Sequence, residues 1–149
     1  MSFSLTNDCK NWFKEVAGKH KFMDFDIFYF CYISGILSKK RNSLEGVNSE
    51  IFSKTFIEKY KDKSSLLISL LLTTEIERFS IDKTSKKEVN RFIESYLDIN
   101  ATNRMSNLGI KTMNEYSYGG YIYLSEKMYD KPRSIETFLL DYYSLINKI

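Results

Sequence analysis

The chain has 149 residues, a length typical of one globular domain of about 100 to 200 residues. Apolar residues make up 43% of it and charged residues 28%, a balance that excludes a disordered chain and matches a soluble globule. The 22 basic and 19 acidic residues give a formal charge of +3 and are mixed evenly along the sequence. Even mixing is typical of solvated helix surfaces, whereas a dedicated nucleic-acid binder usually concentrates its lysines and arginines.

Glycine and proline are scarce, which indicates the fold class. The chain has six glycines and one proline among its 149 residues, a share well below the roughly 12% of an average protein. A β-sandwich or barrel with many tight turns needs more of both, so long helices are favoured. We predict an all-α fold: a single compact domain, residues 1–149, of six to seven helices around two largely buried central helices.

The first half of the chain carries three predicted helices. The first starts near Asn7, because the apolar residues of 9–16 recur at helical spacing after it. The second, residues 25–40, is apolar almost all round and should lie at the centre, with Gly35 allowing a close helix crossing. The third covers residues 51–63.

The second half begins with a helix that should also be central. Ser64 or Ser65 should cap it, and the apolar residues of 66–74 point in nearly every direction. The next predicted helix is amphipathic and begins at Ser85, which has capping-box spacing to Glu88.

Two further helical regions complete the pattern. Residues 110–129 suggest helical pieces interrupted at Gly119 and Gly120. The last helix follows Ser134 as cap and should pack across the two central helices. We expect its buried side to be lined by Ile135, Phe138, Leu139, Tyr142, Leu145 and Ile146.

Residue types needed for catalysis or metal binding are sparse. His20 is the only histidine, and Cys9 and Cys31 each lie in an apolar helical pattern typical of reduced core thiols. These residues provide neither a zinc site nor a Ser-His-Asp or Cys-His arrangement, and no glycine-rich phosphate loop occurs. We therefore predict a protein that is not an enzyme and has no metal and no cofactor.

The sequence also bears on location. The N-terminus lacks the apolar core of a signal peptide, and the longest uncharged stretch, residues 27–38, is shorter than the about 18 residues of a membrane helix. We expect a cytoplasmic protein with no membrane association.

Tyrosines cluster around Gly119 and Gly120. At this density some rings should remain partly exposed for a protein interface or for stacking on unpaired bases, although packing of helices is the simpler interpretation. The candidates for a protein interface are Tyr116, Tyr118, Tyr121 and Tyr123.

Lysines cluster around Tyr60 and at the start of the amphipathic helix. Acidic residues are interspersed, so a solvated surface is the simpler interpretation; phosphate contacts are the functional one. The candidates for nucleic-acid binding are Lys59, Lys61, Lys63, Lys86, Lys87 and Arg91.

Residues 114–124, followed by Pro132 and residues 138–142, resemble small helical accessory proteins of bacterial gene clusters. The resemblance implies a subunit of a bacterial-type multi-protein system. Because the sequence lacks a catalytic constellation and its aromatic content of 15% exceeds what a helical core needs, we expect a non-catalytic helical subunit or adaptor that binds a protein partner or associates with itself. The alternative is a nucleic-acid-binding protein with a lysine-rich face and stacking tyrosines.

Overall fold

The computed structural model describes all 149 residues, and 58% of them lie in seven helices. The helical prediction is confirmed, while the all-α class is corrected because two short strands form a small sheet. The elements are β1 (Phe3–Thr6), α1 (Asn7–Trp12), a 3₁₀ turn (Lys14–Val16), α2 (Asp24–Ser38), β2 (Ser49–Ser53), α3 (Glu58–Lys61), α4 (Ser64–Arg78), α5 (Lys86–Tyr96), α6 (Asn107–Lys127) and α7 (Ile135–Ile146).

The contacts within the chain divide it into two units. The first unit consists of Met1–Phe3 and Ser53–Met113, and the second consists of Ser4–Phe52 and Asn114–Ile149. Helix α6 contributes residues to both units. That the whole chain is one domain stays a prediction.

Hydroxyl side chains cap four of the helix starts, including that of α6, where the Ser106 hydroxyl accepts the N–H of Gly109 at 3.1 Å. Ser85 and Ser134 accept backbone N–H groups of the first turns of α5 and α7, at 3.3 and 3.2 Å, as predicted. Helix α1 is capped one residue earlier than expected, because the Thr6 hydroxyl and not Asn7 accepts an N–H of the first turn, at 3.1 Å.

The backbones of α2 and α6 cross closely within the second unit. A Cβ atom at Gly35 would overlap the carbonyl oxygen of Tyr116, and one at Gly120 would overlap the carbonyl oxygen of Cys31. Only glycine permits backbone contact of this kind. The prediction that Gly35 allows a close helix crossing is confirmed.

The predicted interruption at Gly119 and Gly120 is wrong. Helix α6 runs through both residues without a break, and both are buried. They serve the crossing, since a Cβ at Gly119 would overlap the carbonyl oxygen of Lys40, just beyond α2. Although α6 is long, none of the helices combines the length and apolarity needed to cross a membrane.

The predicted third helix is largely wrong. Residues 49–53 form β2, which pairs with β1, and only the short α3 is helical within 54–63. The helical spacing of apolar residues predicted a buried helix face that does not exist, because Ile51 is exposed and contributes nothing to a core. Strand pairing with a segment more than 40 residues away decided the local structure.

Helix α4 is not a second central helix. It buries one stripe, Leu67, Leu71 and Glu75, while Leu66 is 59% exposed. The helix packed extensively against α2 is α6. Apolar residues lie on all sides of α4, but only one side of the helix is covered by other parts of the protein.

The core of the first unit contains one buried acid. Glu75 on α4 is fully buried and accepts a hydrogen bond from the hydroxyl of Tyr96 on α5, at 3.1 Å. This bond joins the two helices. It also gives the carboxyl group a partner, and a buried carboxylate without one would cost several kcal/mol.

The second unit has a buried ion pair beside the α2–α6 crossing. The Nε and Nη2 atoms of Arg41 both lie 2.9 Å from Oε1 of Glu115 on α6. Both side chains are largely withdrawn from water. Such a pair is costly to break, because the remaining charge stays buried.

We expect Gly120→Ala to lower the free energy of unfolding by about 3 kcal/mol, because the added methyl group must displace the α2 backbone. The control is Ser125→Ala on the next turn of α6, which should change stability by no more than about 0.5 kcal/mol. Urea unfolding followed by circular dichroism measures both. Equal stability of Gly120→Ala and the wild type would contradict the close crossing.

Removal of one partner of the ion pair gives a second prediction. Arg41→Met should lower the free energy of unfolding by about 3 kcal/mol, because it leaves the Glu115 carboxylate buried without its guanidinium. The double variant Arg41→Met/Glu115→Met should recover part of the loss, since no charge then remains buried. If the double variant is less stable than the single one, the pair does not act as described.

Candidate functional site

The four predicted interface tyrosines lie on α6 but not on one surface. Tyr116 is fully buried and has no surface to offer a partner. Tyr118, Tyr121 and Tyr123 are half-buried. Of the four tyrosines, one is therefore a core residue and three lie at the edge of the second unit.

Tyr118 and Tyr121 form a small aromatic group with Trp12 of α1. The two phenol rings stack with centroids 6.4 Å apart, and the indole meets the Tyr121 ring edge-on at 6.0 Å. Burial, with the neighbouring acidic groups, raises the pKa of Tyr121 to about 12. Its hydroxyl therefore stays protonated near neutral pH and can donate a hydrogen bond to a partner.

Tyr123 has a different neighbour. The ammonium of Lys40 lies 5.7 Å from the centre of its ring and 3.7 Å from the carboxylate of Glu126. Tyr123 is therefore engaged in a cation–π contact at the surface.

The lysines around Tyr60 surround an aromatic side chain that is itself buried. The Nζ atoms of Lys59 and Lys63 lie 5.7 and 5.6 Å from the ring centre, and Lys61 forms an ion pair with Glu58 at 2.8 Å. All three lysines are exposed. Their positions are compatible with phosphate contacts, although each charge already has an interaction within the protein.

The basic residues of α5 stand in solvent. Lys86, Lys87 and Arg91 are exposed on its first two turns. Two lysines at a helix start oppose the helix dipole, which makes this group unfavourable for the helix itself.

The two units differ in formal charge. The first unit contains 11 basic and eight acidic residues, so it carries the whole formal charge of +3, while the second contains 11 of each. All six nucleic-acid candidates belong to the first unit, and the four tyrosine candidates belong to the second.

The buried carboxylates have structural partners. Besides Glu75 and Glu115, Asp26 accepts the backbone N–H of Met23 at 2.8 Å and so holds the start of α2. His20 is exposed. No three acidic, histidine or cysteine side chains lie close enough together to hold a metal ion.

Helix α7 is anchored to the second unit by one side only. The Phe138 ring contacts those of Phe13, Phe22 and Phe30, with centroids 5.2–5.6 Å apart. The Tyr142 hydroxyl donates a hydrogen bond to the Phe30 carbonyl at 3.0 Å, and burial raises the pKa of this phenol. These contacts fix the rotation of α7 about its axis.

The opposite side of α7 exposes three large apolar side chains. Leu139 is 41% exposed, Leu140 is 72% exposed and Tyr143 is 71% exposed. Residues three and four apart are neighbours on a helix, so the three form one patch, here called the outer face of α7. Isolated apolar residues are common at protein surfaces, whereas an aligned group on a firmly anchored helix is typical of an interaction surface.

The sequence pattern placed Leu139 on the buried side of the helix, together with Ile135, Phe138, Tyr142, Leu145 and Ile146. The structure corrects this, because only Phe138 is fully buried. A signal was present in the sequence: eight of the twelve residues of α7 are apolar, including the adjacent Leu139 and Leu140. That is more than a single buried stripe needs.

A cleft lies between residues 128–133 and α7. Its volume is about 250 Å³, and Met128, Pro132 and Phe138 contribute to its lining. Small-molecule sites usually occupy about 300–1,000 Å³, so this cleft does not favour one.

Comparisons of the chain with protein-family models, with characterised proteins and with solved structures give no match.

Proposed function

We propose that this protein is a non-catalytic helical subunit or adaptor, and that it binds a protein partner through the outer face of α7. The observation that carries the proposal is the aligned exposure of Leu139, Leu140 and Tyr143. Water contact of these side chains is unfavourable, and burial of each in an interface would contribute about 1.5–3 kcal/mol at full burial.

The anchoring of α7 supports the proposal. Phe138 and Tyr142 hold the helix from its inner side, so the outer face is presented in a fixed orientation. A preorganised surface loses little conformational entropy when it binds. Tyrosine at such a position combines a large apolar ring with a polar hydroxyl, and it is enriched among the residues that dominate interface energies.

The aromatic group of Trp12, Tyr118 and Tyr121 is the second surface of this kind in the second unit. Its rings contact one another and are only partly exposed. It therefore offers less apolar area than the outer face of α7. We assign it a secondary role in partner binding, and the outer face of α7 the main one.

The test compares a double substitution in the outer face with one elsewhere. Leu140→Glu/Tyr143→Glu should leave the melting temperature almost unchanged, because both side chains are exposed, but should weaken association at least about tenfold. The matched control is Leu66→Glu/Ile99→Glu, which changes two exposed apolar residues of the first unit. Light scattering after size exclusion measures self-association, and quantitative cross-linking in the native host measures binding of another protein.

The proposal requires association that depends on α7. The proposal is supported by a dimer or a cross-linked complex whose yield falls with the α7 variant and not with the control. A wild type that is strictly monomeric and cross-links to no protein, or cross-links that are equal in all three proteins, contradicts it.

Nucleic-acid binding is the second candidate, favoured by one observation. The whole net positive charge lies in the first unit, together with the exposed Lys86, Lys87 and Arg91 at the start of α5. Lysine and arginine contacts to phosphates dominate non-specific binding, and they make it dependent on salt.

If this candidate is correct, Lys86→Glu/Lys87→Glu should weaken binding to all sequences and make its salt dependence shallower. Lys19→Glu/Lys21→Glu is the matched control, because it changes the total charge equally but lies in the second unit. Mobility shifts with duplex and single-stranded probes at about 50 and 200 mM salt measure the difference. No retardation by the wild type at the lower salt would discard nucleic acid as a direct ligand.

A further inference from the structure

The only two cysteines of the chain meet inside the second unit. Cys9 lies on α1 and Cys31 on α2, and their Sγ atoms are 3.8 Å apart although 22 residues separate them in sequence. Cys9 is 2% exposed and Cys31 is not exposed. Both are free thiols.

The surroundings hold both residues in place. The Cys31 carbonyl lies at the α2–α6 crossing, against Gly120. The Cys9 N–H donates a hydrogen bond to the Thr6 hydroxyl that caps α1. A disulfide bond requires the two sulfurs to approach from 3.8 Å to about 2.05 Å.

We propose that Cys9 and Cys31 are a redox modification site, at which a peroxide closes them into a disulfide that fixes α1 to α2. The inference is independent of the proposed binding function. It rests on the distance between the two sulfurs, on their places in two different helices and on the absence of any other cysteine.

The reaction has two steps. The Cys9 sulfur attacks one oxygen of hydrogen peroxide, the O–O bond breaks, and a sulfenic acid forms while one water leaves with the thiol proton. The Cys31 sulfur then attacks the Cys9 sulfur, the S–O bond breaks, and the hydroxyl leaves as a second water with the Cys31 proton. The two sulfurs lose two electrons, which reduce the peroxide to water.

The order of the steps follows from the surroundings of each thiol. Burial, with the adjacent Cys9, raises the pKa of the Cys31 thiol well above its usual range, so Cys31 is a poor first nucleophile. Both thiols are buried, but Cys9 lies on a helix of six residues and Cys31 on one of 15, and a short helix opens more readily. Peroxide therefore reacts first with Cys9, and it does so slowly.

The test uses the folded protein and hydrogen peroxide. Mass spectrometry of the intact protein should show the loss of two hydrogens, and a peptide map should join the peptides of Cys9 and Cys31. The melting temperature should rise by about 6 °C, because a loop of 22 residues is closed in the unfolded chain. A reducing agent should reverse both changes.

Two controls make the result decisive. Cys9→Ala and Cys31→Ala should each abolish the linked peptide and the rise in melting temperature. Met23 is exposed, so its sulfoxide reports the peroxide dose within the same peptide map. The sole tryptophan, Trp12, lies three residues after Cys9, so its fluorescence follows α1 during unfolding.

Three outcomes would overturn the proposal. One is full oxidation of Met23 with no linked peptide. Another is a linked peptide that forms only in denaturant, since the site would then not exist in the folded protein. The third is a disulfide that leaves both the melting temperature and the unfolding of α1 unchanged.

Discussion

At the crossing of α2 and α6 two helix backbones touch with no side chain between them, and the second unit is arranged around that contact. Gly35 and Gly120 each face a backbone carbonyl of the other helix. Neither carbonyl can move without disturbing the hydrogen bonds of its own helix, so the contact tolerates no larger residue. Glycine within a helix costs about 1 kcal/mol relative to alanine, and the packing gained along two long helices offsets that cost.

The other contacts of the second unit follow from this arrangement. With α6 on one side of α2, the remaining sides of α2 receive α1 through Cys31 and α7 through Phe30. Helix α7 is apolar around most of its circumference but has a neighbour on one side only. Its outer face is therefore exposed because no further element of this unit covers it, and that exposure makes it the strongest candidate for a binding surface.

The first unit has a different character. Its buried carboxylate, Glu75, is bonded to Tyr96, and its surface carries the excess of positive charge. That excess lies within the continuous segment Ser53–Met113, since Met1–Phe3 contributes no charged side chain. The fold assigns this segment, and with it the excess of positive charge, to one unit.

The sequence alone determined the features that depend on neighbours within a turn of helix. The caps Ser85 and Ser134, the extent of α2 and the need for glycine at position 35 could all be predicted, because a cap bonds to a residue three positions away and a wholly apolar stretch must be buried. Only the tertiary structure decided that 49–53 is a strand, that α6 continues through Gly119 and Gly120, and that Leu139 faces solvent beside Leu140 and Tyr143. Strand pairing, helix crossing and exposure depend on segments distant in sequence, and a local pattern carries no information about where those segments lie.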